Sequence, residues 1–153
     1  MSCKDSMLKT PIVAKMTDSV EVVLSLLETN KIRAVPVVDN NGRLVGMFGL
    51  GHILNSLLPV SARMEDGVKK LGFVMGAMPD IAERLSGIMN EAIETHMNTD
   101  THVLHPDTPS MECVRMVVKY GSPIPVVNAD NGHLVGLVTE QTILACIKKE
   151  LSE

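Results

Sequence analysis

The chain has 153 residues, of which 45% are hydrophobic and 21% are charged, and its formal net charge is −4. This length and composition predict a globular fold of about one domain that buries its own core. The negative charge and the scarcity of aromatic residues (no Trp, one Tyr and two Phe) argue against nucleic-acid binding, which needs a basic surface and stacking platforms.

The amino-terminal residues lack the apolar segment of a secretory signal peptide, and the longest apolar stretch, around Leu44 to Leu54, is too short to span a bilayer. Cys3, Cys113 and Cys146 are an odd number of cysteines with no close pair in the sequence. We therefore expect free thiols in a reducing compartment and a cytoplasmic protein.

The first predicted elements are a short strand at residues 12–14 and a helix that follows it. Apolar residues recur at i, i+3, i+4 and i+7 from Val20 to Leu27, which predicts a helix with one buried face. Asp18 or Ser19 precedes this helix as the candidate N-cap, because a short polar side chain accepts from the first free backbone N–H groups.

A β-hairpin is predicted next. Its first strand is the proline-bearing segment Val35–Val38, and its second is the apolar segment Leu44–Phe48, whose lack of alternation is typical of a strand covered on both faces. Between them, Asn41-Gly42 favours a type I′ turn, which needs positive φ at both central positions. A further helix is expected to begin near Gly51.

Residues 55–91 contain two more segments with helical spacing, on either side of Pro79-Asp80, where the proline breaks or restarts the helix. The two apolar faces consist of Val68, Leu71, Met75 and Met78, and of Ile81, Leu85, Ile88 and Met89. We expect these helices to pack on the rest of the chain. A dimer or partner surface is the alternative, which the adaptable methionines favour.

The second half of the chain repeats the first. A strand is predicted at residues 102–104, and a helical face runs through Val114 to Val118 after the capping candidates Asp107-Thr108-Pro109. The hairpin sequence is repeated from Ile124, with one residue inserted before the turn. A helix is expected to follow it from about Glu140. Ten hairpin positions coincide, namely Pro36/Pro125, Val37/Val126, Val38/Val127, Asn41/Asn131, Gly42/Gly132, Leu44/Leu134, Val45/Val135, Gly46/Gly136, Ile53/Ile143 and Leu54/Leu144.

The Val/Ile-Pro-Val-Val, Asn-Gly and Leu-Val-Gly series in this order resembles the CBS (cystathionine β-synthase) domain, whose pairs form a Bateman module. The resemblance covers residues 8–54 and 92–149, with residues 55–91 as a helical insertion. It implies one α/β (α+β) module over residues 1–153, with tandem β-α-β-β-α repeats paired about a pseudo-twofold axis. It also implies a homodimer that acts as a non-catalytic regulatory protein.

The resemblance further implies two clefts for an adenosine-containing ligand such as AMP, ADP, ATP or S-adenosylmethionine. Arg33 is the natural phosphate partner, because a guanidinium matches phosphate oxygens. The positions that match the first cleft are Val13, Ala14, Ile32, Arg33, Ala34, Pro36 and His52. The positions that match the second cleft are Val103, Leu104, Ser122, Ile124, Pro125, Thr139 and Thr142.

The family's [ST]-x-x-D motif, which serves phosphate and ribose, is altered in both copies. The first copy reads Gly49-Leu50-Gly51-His52, and the second reads Thr139-Glu140-Gln141-Thr142. Both ribose carboxylates are absent, and only the second copy keeps the hydroxyl. The second cleft is therefore the better nucleotide candidate, and the alternative function is a structural homodimerisation module with empty clefts.

No catalytic or metal motif is recognisable. His102 and His105 are expected on opposite faces of a strand, where they cannot share a metal ion. His52, His96 and His133 have no obvious orienting partner in the sequence, and no nucleophile–base pair is evident. We expect no enzymatic activity, no metal and no cofactor, and any regulatory effect requires a protein partner or the dimer mate.

Overall fold

The structure is a computed structural model that describes residues 2–58 and 78–152. The predicted helical face at Val68, Leu71 and Met75 lies outside these residues. No helix of the described ranges is long and apolar enough to cross a membrane. The elements are α1 (Cys3–Ser6), β1 (Ala14–Lys15), α2 (Val20–Asn30), β2 (Ala34–Val38), β3 (Leu44–Gly49), α3 (Leu50–Ser56), α4 (Met78–Ile88), α5 (Ser110–Tyr120), β4 (Ile124–Val127), β5 (Leu134–Val138) and α6 (Glu140–Leu151).

The strands form two small sheets, which confirms the mixed α and β fold. In the first sheet, the order is β1-β2-β3, and β1 runs parallel to β2 with Ala14 opposite Val37. In the second, β4 and β5 are antiparallel, with Ile124 opposite Val138. The strand predicted at residues 102–104 is reduced to one parallel bridge between Leu104 and Val126.

Helix α2 follows the expected pattern. The Ser19 hydroxyl accepts the backbone N–H of Val22 at 3.2 Å, so Ser19 is the N-cap. The buried side chains Val20, Val23 and Leu27 lie on one face. The helix ends at Lys31, which has the left-handed φ of 54° that terminates many helices.

Helix α5 begins differently from the prediction. Its N-cap residue is Pro109, and the Thr108 hydroxyl instead accepts the backbone N–H of His105 at 3.0 Å. Asp107 also does not cap the helix, and its carboxylate lies 3.9 Å from the Lys4 ammonium. The expectation that Asp107 or Thr108 would be the cap is therefore wrong, because the Thr108 side chain closes the preceding turn and the Asp107 carboxylate faces Lys4.

The hairpin turns are not type I′. Gly42 and Gly132 have φ of 81° and 75°, but Lys31 is the sole non-glycine residue with positive φ among those described, so Asn41 and Asn131 do not adopt it. In the first turn, the Asp39 carboxylate accepts the backbone N–H groups of Asn41 and Arg43 at 2.8 and 3.0 Å. These two bonds hold the pKa of Asp39 below its usual value and select a turn built around an Asp side chain.

The chain divides into two compact units that do not follow the order of the sequence. Unit 1 comprises residues 1–15, 35–47 and 99–153, and unit 2 comprises residues 16–34 and 48–98. The core of unit 1 contains Cys3, Leu104, Cys113, Val117, Ile124, Val126, Val138 and Ile143. The buried apolar side chains of unit 2 include Val20, Val23, Leu27, Phe48, Ile53 and Ile93.

In unit 2, helix α4 carries Pro79 in its first turn, as the restart at this proline predicts. Ile81, Leu85 and Ile88 are half-buried, whereas the residues between them are exposed. This confirms the second apolar face expected in the segment between the repeats. In unit 1, α1 is held by the Cys3 N–H, which donates to the Thr108 carbonyl at 2.8 Å.

Candidate functional site

The predicted residues of the second cleft lie together around β4 in unit 1. On one side of this strand, the Leu104 N–H donates to the Pro125 carbonyl at 2.9 Å. On the other side, Ile124 pairs with Val138, which directly precedes Thr139. Leu104, Ile124 and Pro125 are buried, and the remaining members, Val103, Ser122, Thr139 and Thr142, are half-buried.

Thr139 caps the amino terminus of α6. Its hydroxyl oxygen accepts the backbone N–H of Thr142 at 3.1 Å, so the hydroxyl hydrogen remains available for another acceptor. The Thr142 hydroxyl accepts the Thr139 N–H at 2.9 Å and donates to the Thr139 carbonyl at 3.0 Å. The Thr139 hydroxyl can therefore still donate a hydrogen bond, whereas the Thr142 hydroxyl already donates to the Thr139 carbonyl.

His52 has the same role in α3 of unit 2 that Thr142 has in α6 of unit 1. Its Nδ1 accepts the backbone N–H of Gly49 at 3.0 Å, and its ring stacks on Phe48 with the centroids 6.0 Å apart. Partial burial lowers the pKa of His52, which favours the neutral ring that this bond requires. The expectation that His52 lacks an orienting partner is wrong. In both copies, the residue at the family's acid position lies in the first turn of the helix and accepts the backbone N–H of the N-cap residue.

Gly49 packs tightly against the chain that enters β2. The Leu50 N–H donates to the Arg33 carbonyl at 2.9 Å. A Cβ on residue 49 would lie 2.7 Å from the Cβ of Ala34 and would also overlap the Arg33 carbonyl oxygen. The first copy therefore has no room for a threonine or serine at the position that Thr139 occupies in the second.

The other residues matched to the first cleft are divided between the two units. Ala14 and Pro36 are buried in unit 1, where Val13 is 40% exposed. Ile32, Arg33 and Ala34 belong to unit 2 together with His52, and the Arg33 side chain is exposed.

Sequence reasoning missed a hydrogen-bonded series in unit 2. The Ser56 hydroxyl lies 2.9 Å from His96 Nδ1, and His96 Nε2 lies 2.9 Å from a Glu91 carboxylate oxygen. The expectation that His96 lacks an orienting partner is wrong. The Ser56 hydroxyl also donates to the His52 carbonyl at 3.0 Å, one turn back in α3. This bond commits its hydrogen to the helix, as serines within helices commonly do, and the series ties α3 to the segment at residues 91–96.

The remaining histidines make separate contacts. His102 stacks on Tyr120 with ring centroids 3.6 Å apart, and His105 Nδ1 lies 3.0 Å from the Val127 carbonyl. Within residues 2–58 and 78–152, no three potential metal-ligating side chains of His, Cys, Asp or Glu lie together. The three cysteines are free thiols, as expected from the sequence.

Comparison with known proteins places both repeats in one family. The family model described as CBS domain matches residues 3–59 and 91–149. The A-adding tRNA nucleotidyltransferase of Aquifex aeolicus is 28% identical over 154 residues. That alignment covers 100% of this chain and 15% of the enzyme, so the chain spans only a small part of this relative.

Two solved structures have the same fold. CBSX2 of Arabidopsis thaliana, solved in complex with AMP, has a TM-score of 0.71 and 22% identity, with 99% of this chain and 98% of that chain covered. The CBS domain pair of protein MJ0100, solved with 5′-methylthioadenosine and S-adenosyl-L-methionine, has a TM-score of 0.65 and 24% identity, with 98% of each chain covered.

Proposed function

Because the chain belongs to the CBS-domain family, whose model matches both of its repeats, we propose that it is a regulatory module that binds an adenosine-containing ligand in the second-copy cleft. The observation that carries this proposal is the Thr139 hydroxyl, which caps α6 and keeps its own hydrogen for a ligand oxygen. The AMP in CBSX2 and the two adenosyl ligands of the MJ0100 pair support the choice of ligand class.

The cleft supplies two kinds of contact. The half-buried Val103 side chain offers apolar surface for an adenine ring, whereas Leu104, Ile124 and Pro125 are buried and present almost no accessible surface. The amino terminus of α6 and the Thr139 hydroxyl favour a phosphate or carboxylate oxygen, because the helix dipole is positive at this end and the hydroxyl can donate. The Thr142 hydroxyl can still accept a bond from a ribose, but it cannot replace a carboxylate that accepts from both ribose hydroxyls.

Charge favours ligands with few phosphates. Glu140 lies in the first turn of α6, and the whole chain carries a net charge of −4. Each added phosphate brings more negative charge towards this carboxylate, and none of the residues predicted for the second cleft is cationic. We therefore expect AMP or S-adenosylmethionine to bind more tightly than ATP, and the difference to narrow as salt rises.

Ligand binding acts on a partner through a shift between two packings of the module. A ligand shifts such a balance only by its difference in affinity for the two states. The recipient in this proposal is a protein partner or the dimer mate.

Thermal unfolding with AMP, ADP, ATP and S-adenosylmethionine tests this proposal. A ligand at 100 times its Kd stabilises the folded state by about 2.7 kcal/mol, which raises the Tm of a chain this long by about 5–10 °C. Thr139→Ala removes the cap and the ligand contact, whereas Thr139→Ser keeps both. Ser19→Ala is the matched control, because it removes an equivalent cap from α2.

Thr139→Ala and Ser19→Ala are both expected to lower the Tm without ligand, since loss of a cap costs about 1 kcal/mol. Only Thr139→Ala is expected to lose the ligand-dependent rise. The proposal is refuted if no adenosine compound raises the Tm, or if Ser19→Ala reduces the rise as much as Thr139→Ala does.

The alternative function is an assembly module, and exposed apolar side chains on α5 and α6 favour it. Met111, Val118 and Leu151 are 79%, 81% and 82% exposed, and Leu144 is 55% exposed. Met111 and Val118 on α5, and Leu144 and Leu151 on α6, are each seven residues apart and so share one face of their helix, and an exposed apolar face is typical of a protein contact. On this proposal, the chain forms a homodimer through α5 and α6 that Val118→Lys weakens. Val22→Lys, at an exposed position on α2, is the control. The dimer is contradicted if sedimentation of the unchanged protein at micromolar concentration shows only monomer.

A further inference from the structure

Two of the three cysteines lie side by side in the core of unit 1. Cys3 is in α1 and Cys113 is in α5, and their side chains are 0% and 1% exposed. The two thiols are hydrogen-bond partners. Both residues also contact the Thr108 carbonyl, which accepts the Cys3 N–H at 2.8 Å and lies 3.9 Å from the Cys113 Sγ. Residues 4–112 separate them in the sequence, so the fold alone brings these thiols together.

The segment that carries Cys3 is short and lies close to the amino terminus. Helix α1 has four residues, and the Lys4 N–H donates to the Pro106 carbonyl at 3.0 Å. Leu8 then exchanges two backbone hydrogen bonds with Leu137 of β5, at 2.8 and 3.0 Å. Terminal segments of this kind open locally at a lower free energy than core strands do. Opening of α1 exposes both thiols, which are inaccessible while the helix is packed.

We propose that Cys3 and Cys113 form a reversible disulfide that links α1 to α5 when the chain meets an oxidant of the disulfide class, such as oxidised glutathione. The Cys3 thiolate first attacks one sulfur of the oxidant, which releases one thiol. The Cys113 thiolate then attacks the Cys3 sulfur of this mixed disulfide and releases the second thiol. The protein loses two hydrogen atoms and gains one S–S bond, and the oxidant takes up two electrons and two protons to become two thiols.

Burial controls how fast this reaction runs. It raises the pKa of both thiols, that of Cys3 to about 12, so the packed structure supplies almost no thiolate. Oxidation therefore proceeds through the opened form of α1. The second step is intramolecular, because α1 docks with Cys3 beside Cys113, and this proximity favours the protein disulfide over a second mixed disulfide.

The variant Cys146→Ser isolates the proposed pair, because it leaves Cys3 and Cys113 as the only thiols of the full chain. After dithiothreitol, both are expected to react with a thiol reagent in urea, and after oxidised glutathione, neither. Mass spectrometry of unreduced peptides is expected to show Cys3 joined to Cys113 within one chain. Because the bond closes a long loop, we expect the Tm to rise by about 4–16 °C and dithiothreitol to reverse the rise.

The matched control is Cys3→Ala combined with Cys146→Ser. Its single thiol, Cys113, has no partner for the second step, so oxidised glutathione is expected to give at most a mixed disulfide and no rise in Tm. The peptide map of Cys146→Ser does not depend on this control, so the proposal remains testable if the double variant does not fold.

Three results overturn the proposal. The first is that both thiols of Cys146→Ser remain free, or carry glutathione, after oxidation. The second is a disulfide that joins two chains, seen as a dimer on an unreduced denaturing gel. The third is a Cys3–Cys113 bond that leaves the Tm unchanged or lowers it, because the packed core then does not accommodate the bond. Thr139→Ala is expected to form the disulfide normally, so this proposal and the adenosine proposal fail independently.

Discussion

Replacement of Gly49 by alanine is the sharpest test of the close packing between Gly49 and the Arg33-Ala34 segment in the first copy. Gly49 has an extended backbone, with φ of −162°, so alanine meets no conformational barrier there. Its Cβ would instead lie 2.7 Å from the Ala34 Cβ and overlap the Arg33 carbonyl oxygen. Both neighbours belong to the main chain or are fixed directly to it, so neither can turn away.

Overpacking of this kind costs about 1–3 kcal/mol, and the lack of a movable neighbour places Gly49→Ala near the upper end. For a chain of this length, each 1 kcal/mol lowers the Tm by about 2–4 °C, so we expect a loss of about 4–12 °C. Thermal unfolding followed by circular dichroism measures this directly, and urea unfolding gives the free energy.

Two other glycines are matched controls. A Cβ on Gly136 would meet the flexible end of Met7 at 2.5 Å and the Leu8 carbonyl oxygen at 3.0 Å, so Gly136→Ala is expected to cost less. Gly51 has no atom within 4 Å of a new Cβ and lies in α3, where alanine is favoured by up to about 1 kcal/mol. From the most to the least stable, the expected order is Gly51→Ala, the unchanged protein, Gly136→Ala and Gly49→Ala. Equal losses for Gly136→Ala and Gly49→Ala refute the packing argument.

Further predictions concern single side chains. The pKa of His52 is lowered in the folded state, so the unfolded chain binds the proton more readily. The contribution of the neutral His52 ring to stability is therefore complete above the unfolded pKa and is lost as the pH falls through the folded pKa. Urea unfolding should show this loss below neutral pH, and His52→Gln, which keeps a capping acceptor, should flatten it; an unchanged pH slope contradicts the assignment. A double-mutant cycle with Ser56→Ala and His96→Phe should give a coupling of about 0.5–1.5 kcal/mol, whereas additive effects would show that their 2.9 Å contact contributes nothing. Native protein should react with one equivalent of a thiol reagent rapidly and with three in urea, and rapid native modification of all three thiols contradicts the burial of Cys3 and Cys113.

Much of the fold could be predicted because its signals are local. The Val35–Val38 and Leu44–Phe48 segments became β2 and β3 with a change of about one residue, since their apolar runs are bounded by turn residues. Helix α2 was equally clear, because Ser19 and the spacing of the buried positions agree. Local preference and burial point to the same structure in these segments.

The turn type was wrong because the Asn-Gly pair carries only part of the signal. Asp39, two residues before Asn41, supplies an acceptor for two backbone N–H groups and builds a different turn. Sequence preference for a two-residue turn is overruled when a neighbouring side chain can pair with the main chain.

The contacts of the histidines could not be predicted, because they depend on long-range packing. Ser56 and His96 are 40 residues apart, and no motif links them. The alteration of the [ST]-x-x-D motif was visible in the sequence, but its physical meaning was not. Only the structure shows that the side chains of His52 and Thr142 accept the backbone N–H groups of Gly49 and Thr139.

The most direct test of the central claim is a titration of the isotopically labelled chain with AMP, followed by the chemical shifts of its backbone amides. The proposed second-copy site predicts saturable shifts at Leu104, Thr139 and Thr142, with amides around Gly49 in the first copy unchanged, and loss of these shifts in Thr139→Ala. Absence of any saturable shift, or shifts confined to the first copy, would contradict the proposed site.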